Sequence, residues 1–525
     1  MSNPSSIAEL KGIEQPEVVS FQRGIEREAL RVKPSGALAT TPHPDFLGSK
    51  LTHPKITTDF SESQLELITP VHTTAAGALD DLDKVHRFIY TGLENEILWS
   101  ASMPCVLADN TSIPLAYYGE SNIARLKTTY RNGLGYRYGR AMQTICAVHY
   151  NFSFPPAFWQ WLRSAEGSTE SDQDFITRRY FDLMRNFRRW SWLLTYLFGA
   201  SPAVCNSFVR GREHTLQPYD EGTSYLPGAT SLRSGNLGYQ SDAQADHMQV
   251  CYNSLASYVG SLASAICEPY EAYRQIGTKV GEEYRQINDC ILQSEAEFYS
   301  SIRAKRVPGK GQNFLAGLMA DGVEYIEVRL LDVNPYLPLG IDEEEIHFLD
   351  AFLMHCLLSP SPEHTPEVCG DVRVNTMRTV HAGRDPDLTL LDQGSERSLR
   401  EWARSLLADM APVVQELDRL EGAGRYLQAL ATQTGRIDDD QQTPSGAILE
   451  DMRREGVPFF RFAMNEALAH REYFRSRPLD AADVEAFEAM AAQSRLDHQA
   501  IEAADTGDFD DYLAEVLRQY QPLAS

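Results

Sequence analysis

Hydrophobic and polar positions along the chain alternate between two periods. Three runs repeat every second residue: GIEREALRV (24–32), LELIT (65–69) and AVHYNFSF (147–154). Each predicts a short β-strand. Between them, Thr74 to Leu98 places apolar residues at helical spacing and predicts one long helix. The polar loop SAEGSTESDQD (164–174) precedes a second amphipathic helix, expected from Asp174 to Phe198. A polar loop from Gly211 to Ser224 leads into the turn-rich SYLPGATSLRSGNLGY, and helices are expected over 241–275. Val323 to Leu331, VEYIEVRLL, predicts a further strand. After LSPSPEHTPEVCG (358–370) the pattern turns mostly helical, from about 395 onward, broken by the loop TQTGRIDDDQQTPSG (432–446). No repeat or low-complexity tract stands out. Without regular βαβ alternation, the pattern favours an α+β fold with a mainly antiparallel or mixed sheet over a doubly wound one. Residues 1–358 form the expected α+β region, and 359–525 a mostly helical region packed on it.

The strands share an unusual polar face. In VHYNFSF, Val148, Tyr150, Phe152 and Phe154 lie on one face, and His149, Asn151 and Ser153 on the other. In EYIEVRL, Ile326, Val328 and Leu330 oppose Tyr325, Glu327 and Arg329. In GIEREALRV the division is less clean: Glu26, Glu28, Leu30 and Val32 alternate with Ile25, Arg27, Ala29 and Arg31. Glu26 and Glu28 would stand about 6–7 Å apart on one face, where like charges repel unless a cation lies between them. A sheet with one solvated face accounts for any single strand. Taken together the polar positions are carboxylate, imidazole and guanidinium, and Asp59 and Glu66 of TTDFSESQLELIT add to them. Five carboxylates and a histidine, without cysteine, suit Mg²⁺ or Mn²⁺ better than a structural zinc, and more than one ion is expected. His149 taken alone reads more readily as a core histidine than as a ligand; its neighbours change that reading.

Such metals commonly bridge to phosphates, and Arg329, Arg131 and Arg233 would clamp phosphate or carboxylate. The chain has neither GxxxxGK[ST] nor a GxGxxG following a strand. A nucleotide would therefore be held on the sheet by metal and arginine, not at a helix N-terminus.

A formal charge of −25 argues against a nucleic-acid-coating surface and against adhesion to anionic membranes. The helix RRYFDLMRNFRRW (178–190) has aromatics at helical spacing, so a packed helix with arginines at its rim is preferred to a nucleic-acid patch. WSWLLTYLFGASPAV (190–204) is too short for a membrane span and reads as a buried helix end. Eight scattered cysteines without a CxxC pair suggest reduced thiols and a cytoplasmic setting. MSNPSSIAELKG lacks a basic start and an apolar core, so no signal peptide is expected.

The blocks GIEREALRV, LTHPKITTDFSESQLELITP (51–70), SMPC (102–105), LKTTYRNGLGYRYGRAMQTICAVHYNFSFP (126–155), LFGASPA (197–203), ATSLR (229–233) and EYIEVRLLDVNP (324–335) resemble glutamate–cysteine ligase, γ-glutamylcysteine synthetase, of the type found in γ-proteobacteria. The similarity runs from about 20 to 360, and beyond it rests on helical character and the ending AADTGDFDDYL. The resemblance implies a glutamine-synthetase-like curved sheet forming a funnel, with ATP, Mg²⁺, L-glutamate and L-cysteine as ligands. It implies ligation through a γ-glutamyl phosphate, giving γ-glutamylcysteine, the first step of glutathione biosynthesis, in a monomer. It carries metal binding onto Glu26, Glu28, Asp59, Glu66, His149 and Glu327. Glutamate binding falls on Arg233. Arg131 and Arg329 lie at the transferring phosphoryl group, with Glu327 also counted as catalytic. The cysteine pocket falls on Phe60, Tyr130, Leu134, Gln143, Tyr239 and Tyr299, and Asn151 joins the substrate-binding residues. Without the resemblance, the tyrosines read as a core cluster. Cys105 matches a family cysteine, but no cysteine stands in the region just after FWQ (158–160) to partner it. A ligase with another acceptor amine, a metal-dependent hydrolase and a non-catalytic metal-binding protein are the rival readings.

Overall fold

The computed structural model describes residues 10–238, 244, 247–309 and 311–524. Tyr239, part of the 241–275 stretch, and the N-terminal residues on which the signal-peptide expectation rests lie outside them. Among the described residues the main sheet has seven strands: β1 (Gln22–Val32), β2 (Ile56–Thr58), β3 (Gln64–Ile68), β4 (Ile97–Leu98), β5 (Val148–Ser153), β6 (Ile302–Lys305) and β7 (Tyr325–Leu331). Their order is β6–β7–β5–β1–β3–β2, with β4 also on β1, and neighbours run antiparallel. Only β2–β3 is a tight hairpin among these neighbours of the acidic strands. The others pair segments far apart in sequence, which is how residues near 26, 149 and 327 become neighbours.

Ten helices frame the site: α1 (Ala75–Gly92), α2 (Asn122–Tyr138), α3 (Asp172–Phe198), α4 (Glu343–Leu358), α5 (Pro366–Ala382), α6 (Leu399–Glu421), α7 (Arg425–Asp438), α8 (Phe459–Arg475), α9 (Ala481–Ala504) and α10 (Phe509–Arg518). α1 is shorter than its pattern predicts. Thr74 caps its start by accepting from the Gly77 amide, and Ile97–Leu98 leave the helical run to pair with Arg31 and Val32 of β1. α3 follows its pattern, with Ser171 as cap and Asp172 and Asp174 in the first turn. Its arginines pair locally: Arg179 and Arg185 with Asp182, Arg178 with Glu170. Its apolar face packs on α4 through Phe187 and Phe352, which supports the packed-helix reading. Among the described residues no helix is long and apolar enough to cross a membrane.

In 248–276 the helices are Leu255–Cys267 and Glu271–Ile276, with non-helical chain over 248–253 before Ser254 caps the first. A hairpin, Thr389–Asp392 with Ser395–Ser398, interrupts the helical region; its turn places Gln393 and Gly394 at φ 52° and 77°. One buried apolar cluster runs from Leu10 to Tyr520 and takes in α4, α6 and α8.

The unclean alternation in β1 now has a cause. The face behind the acidic residues is buried too, and it carries arginines with distant partners. Arg23 Nη2 lies 2.6 Å from Asp350 Oδ2 on α4, and the Tyr150 hydroxyl donates to Asp350 Oδ1 at 2.6 Å. Arg31 pairs with Glu96 and donates to the Thr41 carbonyl. Arg27 donates to the Trp99 carbonyl at 3.4 Å.

Candidate active site

Register assembles the acidic face. Residues directly opposite on antiparallel strands share a face. Glu26 of β1 is opposite His149 of β5, Glu28 opposite Glu66 of β3, and Asn151 of β5 opposite Glu327 of β7. Glu26, Glu28, Glu66, His149, Asn151 and Glu327 therefore line one wall. His149 Nδ1 is 3.2 Å from Glu26 Oε2 and 3.9 Å from Glu327 Oε1, while its Nε2 is 3.6 Å from Glu28 Oε1. Glu26, Glu66 and His149 each offer a ligand atom within 4.8 Å of the others'. Asn151 Nδ2 donates to Glu26 Oε1 at 2.8 Å and so orients that carboxylate. Asp59, on the β2–β3 turn, adds its charge to Glu28 and Glu66.

The basic groups come from two directions. β7 carries an irregularity between Val328 and Leu331, where three residues span two of β5, and Arg329 sits within it. Its Nη1 reaches Glu327 Oε1 at 3.1 Å and lies 3.5 Å from His149 Nδ1. Arg131, on α2, donates from Nε to the Asp59 carbonyl and from Nη1 to the Lys127 carbonyl at 3.1 Å. Arg233 is 3% exposed; it donates to the carbonyls of Arg329 at 2.6 Å and Leu330 at 3.3 Å, and lies 3.7 Å from Asp332 Oδ1.

Electrostatics divide the carboxylates. Burial and the charges of Glu26 and Asp59 push Glu66 up to about 8. Burial, with Asp59 and Glu66 nearby, lifts Glu28 well above the usual carboxylate range. Burial acts the same way on Glu327, yet Arg329 and Lys305 overcome it and hold Glu327 well below that range. Burial of Glu26 is likewise outweighed, by its hydrogen bond with His149. Burial, then the Arg329 charge, holds His149 below its ordinary value. In Glu28 and Glu66 the wall thus contains buried acids short of positive charge, and among the described residues Glu28 Oε1 and His149 Nε2 have no hydrogen-bond partner. Oxygen donors and one imidazole with partnerless buried atoms fit a hard divalent cation.

A cavity of about 420 Å³ opens beside this wall, bordered by His149, Arg233, Arg329 and Tyr299, and further out by Arg188 and Arg373. No carboxylate is among its described lining residues. In a chain of net charge −25 that favours an anionic occupant.

Of the expected cysteine-pocket residues, Tyr299 borders this cavity. Phe60 is 1% exposed and Leu134 7%. Gln143 Nε2 donates to the Tyr299 hydroxyl at 3.0 Å, and the Tyr299 ring meets Tyr138 edge-on at 5.6 Å. The Tyr130 carbonyl accepts from Gln293 Nε2 at 3.0 Å. Tyr239 lies outside the described residues. Cys105 is unpaired and buried, in keeping with the missing partner after FWQ.

Some groups that shape the site were not foreseen. Lys305 Nζ is 3.5 Å from Glu327 Oε2. Arg303, its neighbour on the same face, is opposite Glu327. The alternation of Ile302 and Ala304 with Arg303 and Lys305 in SIRAKR carries that signal. Asp332 anchors the Arg233 loop by accepting from the Ser231 hydroxyl at 2.9 Å and the Ala200 amide at 2.8 Å. Glu297, wholly buried, pairs with Arg137 at 3.0 Å and accepts from the Tyr138 hydroxyl at 2.6 Å. No local pattern marks Asp332 or Glu297.

Comparison with known proteins agrees. The glutamate–cysteine ligase family model matches residues 8–379. The chain is 49% identical over 499 residues to the glutamate–cysteine ligase of Pseudomonas paraeruginosa, covering 95% of this chain and 94% of that one. It is 47% identical over 503 residues to that of Alcanivorax borkumensis, covering 95% and 96%. The crystal structure of the Francisella tularensis glutamate–cysteine ligase in complex with AMP matches with a TM-score of 0.90 at 34% identity, over 96% of this chain and 98% of that one. The chain belongs to the glutamate–cysteine ligase family.

Proposed function

We propose that this chain joins the γ-carboxylate of L-glutamate to the α-amine of L-cysteine at the expense of ATP, releasing γ-glutamylcysteine, ADP and phosphate. This is the first step of glutathione synthesis. The observation that carries the reading is the wall on which Glu26, Glu28, Glu66, His149 and Glu327 meet Arg329 beside a cavity with no carboxylate among its described lining residues.

A carboxylate is a poor electrophile and must be activated. An oxygen of the glutamate γ-carboxylate attacks the γ-phosphorus of ATP, and the bond to the β-phosphate oxygen breaks. The cysteine nitrogen then attacks the acyl carbon, loses a proton, and the carbon–oxygen bond to phosphate breaks. Charge grows on the oxygens of the moving phosphoryl group, so pre-aimed cations stabilise it most. Arg329 and Arg131 take that role, and Arg233 holds the glutamate. Glu26, Glu28, Asp59, Glu66, His149 and Glu327 would hold Mg²⁺, which when bound supplies charge against the nucleotide phosphates. The raised Glu28 and Glu66 carboxyls would give up protons as the ions bind. Phe60, Tyr130, Leu134, Gln143 and Tyr299 would enclose the cysteine side chain, since a thiol favours apolar and aromatic contact. The antiparallel sheet supports a glutamine-synthetase-like funnel. Residues 1–358 would carry the chemistry and 359–525 buttress it, in a cytoplasmic monomer.

The test is a coupled ADP-release assay with each substrate omitted in turn. ADP should form fastest with glutamate and cysteine together, and more slowly with 2-aminobutyrate replacing cysteine. Rapid ADP release without glutamate, or hydrolysis without ATP, would overturn the reading.

A further inference from the structure

α9 and α10, at the far end of the chain, place no side chain on the acidic wall. α9 is exposed along most of its length, with only Phe487, Ala491 and Ser494 buried. Its first half is moored on the catalytic region: Phe487 stacks on Phe88 of α1 at 4.7 Å, and the Ser49 amide donates to Ser494 Oγ at 2.9 Å. Its last turn meets the start of α2, the helix that carries Tyr130, Arg131 and Leu134.

A helix start leaves amides that need acceptors. Ser121 is the N-cap residue of α2, yet its side chain accepts from no amide. The acceptors come from the C-terminal region instead. Glu502 Oε1 accepts from the Glu120 amide at 2.8 Å and the Ser121 amide at 3.1 Å, and Asp505 Oδ2 accepts from the Asn122 amide at 2.8 Å. Glu502 is itself held: His498 Nε2 lies 3.2 Å from its Oε1, and His498 Nδ1 lies 2.9 Å from Ser49 Oγ. The approach is close. A Cβ on Gly119, at φ +122°, would fall 2.5 Å from both Glu502 Oε1 and His498 Nε2. Past the cap, Arg125 of α2 sits over the Phe509 ring of α10 at 4.4 Å, and Phe509 meets Tyr284 edge-on at 4.8 Å. The ending AADTGDFDDYL thus contains Asp505 and Phe509, and Glu502 directly precedes it.

We propose that Glu502 and Asp505 are positioning residues: they cap α2 from the far end of the chain and so fix where α2 presents Arg131 and Tyr130. Two negative groups at a helix start act both as acceptors and on the helix dipole. Hydrogen bonds at the start of a rigid helix set the axial placement of residues two to three turns on. Arg131 is sensitive to that placement, because it reaches across to the Asp59 carbonyl on the β2–β3 turn. The inference rests on the reading of Arg131 and Tyr130 as substrate-facing groups.

The experiment compares steady-state kinetics of wild type, E502A/D505A, E502Q/D505N and R131Q, with thermal melts of each. E502A/D505A is expected to lower kcat and to raise KM for cysteine, each on the order of tenfold, with KM for glutamate within about twofold. E502Q/D505N keeps an accepting oxygen at each position and should recover most of that loss. If R131Q leaves activity intact, the site reading fails. If R131Q is impaired while E502A/D505A lowers Tm but leaves KM for cysteine unchanged, the positioning role is overturned. An equal rise in both KM values also overturns it. D505A alone, which removes a single acceptor, gives the same readout should the double variant not fold.

Discussion

Glu66→Gln should stabilise the metal-free protein and abolish its response to Mg²⁺. The perturbation is isosteric and removes an ionisable carboxyl from a wall that already holds Glu26 and Asp59 nearby. Glu66 titrates near 8 in the fold against 4.5 as the ordinary value. Between those values the unfolded chain ionises and the folded chain keeps its proton. The folded state then binds more protons, so stability is lost as pH rises from 4.5 to 8. At pH 7 the cost is up to about 3 kcal/mol, from ~1.4 kcal/mol per unit. Gln does not titrate and escapes it. Melts in EDTA should show wild type and variant together near pH 5 and the variant a few degrees higher at pH 7. Mg²⁺ at 1,000 times Kd should reverse the order, because it adds about 4.1 kcal/mol to the protein that binds it. A variant that melts below wild type in EDTA at pH 7, or that gains as much as wild type from Mg²⁺, would refute the reasoning.

Arg329→Gln and Arg131→Gln should each lower kcat about 10²-fold or more, roughly 3 kcal/mol, as for loss of one oxyanion donor; steady-state ADP release measures it, and a loss below threefold contradicts the assignment. Asp350→Ala strands buried Arg23 and should cost about 3–5 kcal/mol in urea unfolding while leaving both amino-acid KM values near wild type. His86 is 1% exposed, and burial, then the Arg27 charge, holds it down to about 3. Its folded pKa is depressed, so stability is lost as pH falls below 6.5, by up to about 1.4 kcal/mol per pH unit. Relative to wild type, His86→Leu should therefore gain stability between pH 6.5 and 4.5, and parallel stability–pH curves would contradict this.

Sequence periodicity was most informative where a strand keeps one polar face. Glu26 with Glu28, His149 with Asn151, and Glu327 with Arg329 are same-face pairs in the sequence, and the sheet keeps each pair together. Alternation says nothing of which strands are neighbours; pairing of β1 with β5 and of β5 with β7 comes from long-range packing. It left the division of β1 unclean: on the back face Arg23 and Arg31 are buried because Asp350 and Glu96, distant in sequence, satisfy them. The short α1 has the same origin: sheet pairing claims Ile97 and Leu98 from a helical pattern. Asp332, Glu297 and the Glu502–Asp505 cap act across 99 or more residues, beyond the reach of any local spacing.

Divalent-ion binding to the wall is the claim everything else depends on, and Mn²⁺ titration followed by electron paramagnetic resonance reads it without catalysis. Wild type should bind Mn²⁺, and Glu26→Gln, Glu66→Gln and His149→Asn, folded by circular dichroism, should each bind at least about tenfold more weakly. Equal affinity in all three variants and the wild type would contradict the account.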